Sequence, residues 1–85
     1  MTIDKEEIYI IISNNIRAER SRCRKTQEEV AKQLGIDRST YTDWENRPRI
    51  DSFELFQLSC ILGCSVQDFF VGLEATESGQ ILIKK

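Results

Sequence analysis

The side chains of this 85-residue chain that could do chemistry fall into two sets: three cysteines (Cys23, Cys60 and Cys64) and a run of cations from Arg17 to Arg49. A thiol can ligate a metal or attack an electrophile, but either role needs partners at short spacing. There is no histidine to complete a mixed zinc site, the cysteines lack paired CxxC spacing, and an odd set of three argues against a disulfide framework. The sequence also carries no Gly-rich phosphate loop and no evident nucleophile–base pair. The expectation is therefore not an enzyme, with no metal and no cofactor, and with the cysteines serving as small core or surface side chains.

The cations point to a different chemistry. The whole chain is formally −2, but its charge is unevenly placed. Residues 17–49 hold nine basic against six acidic side chains, net +3, while residues 1–16 are net −2 and residues 50–85 net −3. The middle of the chain is thus the candidate for a phosphate-facing surface. The longest apolar run, Ile8–Ile12, is five residues, far short of the roughly 20 that cross a bilayer. The acidic opening residues fit neither a secretory signal nor a transit peptide, so a cytoplasmic protein without a membrane span is expected.

Helices must position these cations, because only four Gly and one Pro are present and the length allows one domain. Asp4 with Glu7 has the pattern of a capping box ahead of a helix that would place Ile8, Ile12, Ile16 and Cys23 on one face and end near Arg24. The β-branched run Ile8–Ile12 offers a short strand before Ser13 as the competing reading. Thr26 with Glu29 is a second capping box, Val30, Ala31 and Leu34 form an inward face, and Gly35 ends that helix. Asp37 should cap a third helix, 38–46, with Tyr41, Trp44 and Glu45 on one side and Arg38, Ser39, Thr42 and Asp43 towards the other. Pro48 breaks the chain. Asp51 with Glu54 opens a fourth helix whose set Phe53, Leu55, Phe56, Leu58, Ile61 and Leu62 runs nearly all round, the pattern of a buried central helix. Ser65 with Asp68 opens a short fifth, with Val66, Phe69 and Phe70 as its buried set. Residues 1–72 form the expected domain with its N-terminal extension, and 73–85 a flexible connection and a short strand or docking segment.

Two short helices separated by Gly35-Ile36-Asp37 make a helix-turn-helix. Ile16-Arg17-Ala18-Glu19-Arg20, Thr26-Gln27-Glu28-Glu29-Val30-Ala31, Leu34-Gly35-Ile36, Ser39-Thr40-Tyr41, Trp44-Glu45-Asn46 and Leu62-Gly63-Cys64-Ser65 together resemble the phage-repressor (Cro/CI, XRE-type) helix-turn-helix family over about residues 12–70. The resemblance implies an all-α, compact five-helix, lambda-repressor-like DNA-binding domain. In that family the second helix of the motif enters the major groove, which implies base contacts from Arg38, Ser39, Thr42 and Asp43. Arg38 can place two donors on guanine O6 and N7. Asp43 departs from the family, which has a neutral or basic residue there; a carboxylate can accept from cytosine N4. Gln27 matches a family phosphate contact, and Thr26, Thr40, Asn46, Arg47 and Arg49 are further phosphate candidates. The family has Gly where this chain has Arg47, and a loop one residue longer. Arg20 and Glu45 match a structural ion pair bridging the first and third helices.

The function so implied is a sequence-specific DNA-binding transcriptional regulator, a repressor, that binds a palindromic operator in double-stranded DNA as a homodimer. The alternative is an antitoxin or protein-interaction module that neutralises a protein partner, motivated by the acidic ends and the surplus apolar runs Ile8–Ile12 and Ile81–Ile83.

Overall fold

Asp4 stands just outside the first helix, and its carboxylate accepts from the Glu6 amide at 3.3 Å. Glu7, at the third helical position, donates its amide to the Asp4 carbonyl rather than to the carboxylate and returns no side-chain bond, so Asp4 caps the helix without the expected capping box. The structure, a computed structural model, describes residues 4–84; residues 1–3 and 85, at the outer ends of the expected segments 1–72 and 73–85, lie outside the described residues. Helix α1 (Lys5–Arg22) takes in the whole Ile8–Ile12 run. A strand would have put Ile8, Ile10 and Ile12 on one face. The helix instead buries Ile12 and Ile16, half-buries Ile8 and leaves Ile10 exposed. Packing against the rest of the fold overrides the β-branched preference.

Helix α2 (Gln27–Leu34) opens on the complete Thr26/Glu29 box: the Glu29 amide donates to Thr26 Oγ1 at 3.1 Å and the Thr26 amide to Glu29 Oε1 at 3.2 Å. It ends at Gly35 in the left-handed region (φ 75°). Helix α3 (Arg38–Asn46) follows at once, with Asp37 in the cap position. The Asp37 side chain makes no capping bond, contrary to expectation, so the Gly35 turn and the burial of Tyr41, Trp44 and Glu45 fix where α3 begins and lies.

Helix α4 (Ser52–Leu62) has Asp51 Oδ1 accepting from the Glu54 amide at 2.8 Å. It is not the buried central helix its composition predicts. Leu58, Ser59 and Leu62 face the core, whereas Phe53 and Phe56 are 72% and 60% exposed. A domain this small has too few elements to cover a helix on every side. The fifth helical segment, Val66–Phe70, is a 3-10 helix with both bonds of its Ser65/Asp68 box; Phe69 is buried, but Phe70 is exposed. The expected short strand is present as β2 (Ile81–Ile83), which pairs antiparallel with β1 (Leu73–Ala75), Leu73 opposite Ile83 and Ala75 opposite Ile81.

The core is one cluster of Ile12, Ile16, Val30, Ala31, Tyr41, Trp44, Leu58, Leu62 and Phe69, contributed by all four helices and the 3-10 segment. Asn15 Nδ2 ties α1 to the far end of the chain by donating to the carbonyls of Phe69 (2.9 Å) and Val71 (2.8 Å).

Candidate nucleic-acid interface

A single buried carboxylate sets the geometry of the helix-turn-helix. Glu45, on the inner side of α3, is fully buried and accepts two bonds from Arg20 of α1: Nε to Oε2 at 2.5 Å and Nη2 to Oε1 at 3.2 Å. Gln27 Nε2, from the first turn of α2, donates to Oε1 at 3.0 Å, and Arg17 Nε stands 3.9 Å away. Burial pushes the Glu45 carboxyl up, but its polar neighbours, Arg20 first among them, together outweigh it and hold the group below the ordinary carboxylate range. The Arg20 guanidinium is raised by its bond to Glu45 and also donates to the Lys25 carbonyl at 3.0 Å. A two-toothed pair of this kind fixes orientation as well as charge. Here it locks α1, α2 and α3 to one another, the structural role expected of Arg20 and Glu45.

With that face turned inward, the opposite side of α3 is presented to solvent. Arg38, Ser39 and Asp43 are exposed, and Thr42 is half-buried. Among the described residues no carboxylate lies within ion-pair distance of Arg38. Thr42 is less free. Its hydroxyl lies 2.9 Å from the Arg38 carbonyl and 3.3 Å from Gln27 Oε1, and its one proton serves one of them at a time. Tyr41 and Trp44 are core residues, their rings 6.3 Å apart and tilted at 60°, so neither is placed to stack on a base. The Tyr41 hydroxyl is buried beside Glu45 without a hydrogen bond; burial first, and then Glu45, raise its pKa.

The six expected phosphate-contacting residues divide between two surface concavities that both include α3 residues. Thr26 and Gln27 line one with Arg20, Arg24, Lys25, Glu28 and Arg38. Thr40, Asn46, Arg47 and Arg49 line the other with Asp43 and Trp44. Several are already held by protein. Gln27 is fastened to Glu45, Asn46 Oδ1 accepts from Arg17 Nη2 at 2.9 Å, and Arg47 Nη2 stands 3.3 Å from Glu6 Oε1. The Arg49 guanidinium sits 6.0 Å from the centre of the Tyr9 ring. With its oxygen so fixed, Asn46 keeps its amide protons unpaired among the described residues. Sequence reasoning missed Arg17, which orients Asn46, and Arg24, which lines the first concavity. The basic count of residues 17–49 contained both, and Arg17 lies in the stretch Ile16–Arg20, but neither spacing nor resemblance gave either residue a role.

Among the described residues, one group has metal-ligand chemistry: Glu19, Cys64 and Asp68 bring their ligand atoms within 4.8 Å of one another. Each carboxylate has a protein partner, Glu19 in an ion pair with Arg22 and Asp68 Oδ2 accepting from the Ser65 amide at 2.9 Å. Burial, and then the nearby Asp68 charge, push the Cys64 thiol up, away from the reactive thiolate.

A locked three-helix scaffold that turns the outer face of a short helix, flanked by cationic concavities, to solvent defines a helix-turn-helix DNA-binding module. The helix-turn-helix family model matches residues 16–69, more than half of the chain, and the protein belongs to that XRE-type family of DNA-binding regulators. Comparison with curated protein sequences finds no match. Among solved structures, the fold is similar to a hypothetical transcription factor, NHTF, from Neisseria, with a TM-score of 0.69 and 22% identity, covering 84% of this chain and 83% of that one. It is also similar to part of the hydroxypropylphosphonic acid epoxidase of S. wedmorenis, with a TM-score of 0.72 and 17% identity, covering 86% of this chain and 40% of the enzyme. At these identities the likeness is one of fold.

Proposed function

We propose that this protein is a cytoplasmic transcriptional repressor that binds a partly palindromic operator as a homodimer, inserting α3 into the major groove, and that it has no catalytic role. The observation that carries the reading is the outer face of α3. Arg38 and Ser39 are exposed at its first turn, and Arg38 has no carboxylate partner among the described residues. Its guanidinium is therefore available for two bonds to a guanine edge. Asp43, one turn further on, adds an acceptor suited to cytosine N4. The flanking concavities supply backbone contacts, which set register and affinity but read no sequence.

Selection of bound sequences from a random duplex pool, followed by anisotropy titrations at several salt concentrations, tests this. Affinity for the selected site should fall steeply with salt, with a slope of about −0.9 per phosphate contacted. Arg38→Ala should lose discrimination at one base pair of each half-site, by about 1–3 kcal/mol. Failure to enrich any sequence, or an affinity indifferent to salt, would reject the reading. The protein-interaction alternative is favoured by the exposed apolar side chains Phe53, Phe56, Val71 and Ile81. A tight complex with a protein partner that forms equally well with the Arg38→Ala variant, in a chain that enriches no duplex, would support it instead.

A further inference from the structure

Helices α1, α2 and α4 end by the same backbone device. In α2 the Gly35 amide donates to the Lys32 carbonyl and the Ile36 amide to Ala31; in α4 the Gly63 amide donates to Cys60 and the Cys64 amide to Ser59. At the end of α1 the Arg24 amide donates to Ser21 (3.0 Å) and the Lys25 amide to Arg20 (3.3 Å), the same pair of bonds. This closure needs a left-handed residue, and glycine supplies it without a Cβ penalty. Two of the three positions are glycine. The third is Arg24, at φ 56°, the one non-glycine residue of positive φ among those described. Arginine has no short polar side chain to offset that conformation, so the strain needs a compensating use.

The surroundings of Arg24 supply one. It lines the concavity shared by the start of α2 and Arg38 of α3. Two other cations of that concavity are committed to the protein: Arg20 to Glu45 and the Lys25 carbonyl, and Lys25 Nζ to Gln33 Oε1 (3.0 Å) and the Ile61 carbonyl (2.8 Å). Arg24 is exposed and, among the described residues, neither ion-paired nor hydrogen-bonded through its side chain; the one carboxylate in the lining is Glu28. We propose that Arg24 is a phosphate-binding residue, holding a DNA backbone phosphodiester in this concavity while α3 reads the adjacent bases. The inference rests on the DNA-binding reading and adds to it a contact that sets affinity without setting sequence preference.

The test uses Arg24→Gly in the full chain, because stability and binding should then move in opposite directions. Relief of the left-handed strain should raise Tm by about 2–5 °C. Affinity for the selected operator should fall about three- to tenfold, the salt slope should shrink by about 0.9 for each copy bound, and the ranking of operator variants should stay as in the wild type. Arg24→Ala, which keeps the strain and loses the charge, should lose the same affinity without the gain in Tm. Unchanged affinity and salt slope in both variants, while the wild type binds its operator in a salt-dependent way, would overturn the role of Arg24 alone. Absence of salt-dependent binding in the wild type would overturn the DNA-binding reading and this inference with it.

Discussion

Glu45 is the residue on which the arrangement of the others depends. It is a fully buried carboxylate with donors from α1 and α2, so removing Arg20 strands a charge where water cannot reach it. Losing one partner of such a pair costs about 3–5 kcal/mol, a large part of the roughly 4–13 kcal/mol available to a chain of this length. Arg20→Met should therefore lower unfolding free energy by at least 3 kcal/mol in a urea titration. The pH dependence has a definite sign. The folded-state pKa of Glu45 lies below its ordinary value of 4.5, so its contribution is complete well above pH 4.5 and is lost as pH falls through the depressed folded value. Arg20 stays charged throughout. Wild-type Tm should decline on acidification below about pH 4.5, and Glu45→Gln, less stable at neutral pH, should show a shallower decline.

At the scale of elements, the helix ends separate bonds that are made from bonds that composition only suggests. Thr26 completes a capping box, so Thr26→Ala should cost about 1 kcal/mol. Asp37 makes no capping bond, so Asp37→Ala should stay within about 0.5 kcal/mol of wild type. A Cβ on Gly35 would meet nothing within 4 Å, so Gly35→Ala tests the φ of 75° alone and should cost about 1–2 kcal/mol. Chemical denaturation of the three variants side by side checks all three values. The same contrast explains what could be read in advance. Thr26 with Glu29, and Gly35 between two apolar-periodic stretches, each fit one local structure well, and they fixed the helix-turn-helix and hence the exposed side of α3. Arg24 could not be read this way, because an arginine carries no sign of a left-handed backbone until the helix has closed around it. The apolar run Ile81–Ile83 marked one short strand, but its partner Leu73–Ala75 escaped because a strand of three residues is too short to show a period. The exposure of Phe53 and Phe56 was hidden because composition says how apolar a helix is, not what is available to cover it.

At the scale of the whole molecule, the proposed homodimer needs a contact surface, and the exposed side of α4 offers one. Its outward side carries Phe53 and Phe56, and it starts within a few residues of the end of α3. The proposed dyad supplies the occupant: two copies on one operator bring identical surfaces together, and a two-fold contact needs a self-complementary patch. A contact through α4 would fix the separation of the paired α3 helices close to the reading element, where half-sites lie about 34 Å apart. Joining the two half-site contacts makes the second binding event intramolecular, which can raise affinity about 10²–10⁴-fold without any new DNA contact. The double variant Phe53→Asp, Phe56→Asp should therefore keep its Tm within a few degrees, because both side chains are exposed in the single chain. It should sediment as a monomer at concentrations where the wild type is a dimer. Its affinity for the two-half-site operator should fall at least about a hundredfold, while binding to an isolated half-site stays within about threefold of wild type. Wild-type sedimentation as a monomer on and off the operator, or a double variant that still dimerises, would remove α4 from the assembly and leave the single-copy interface of α3 unaffected.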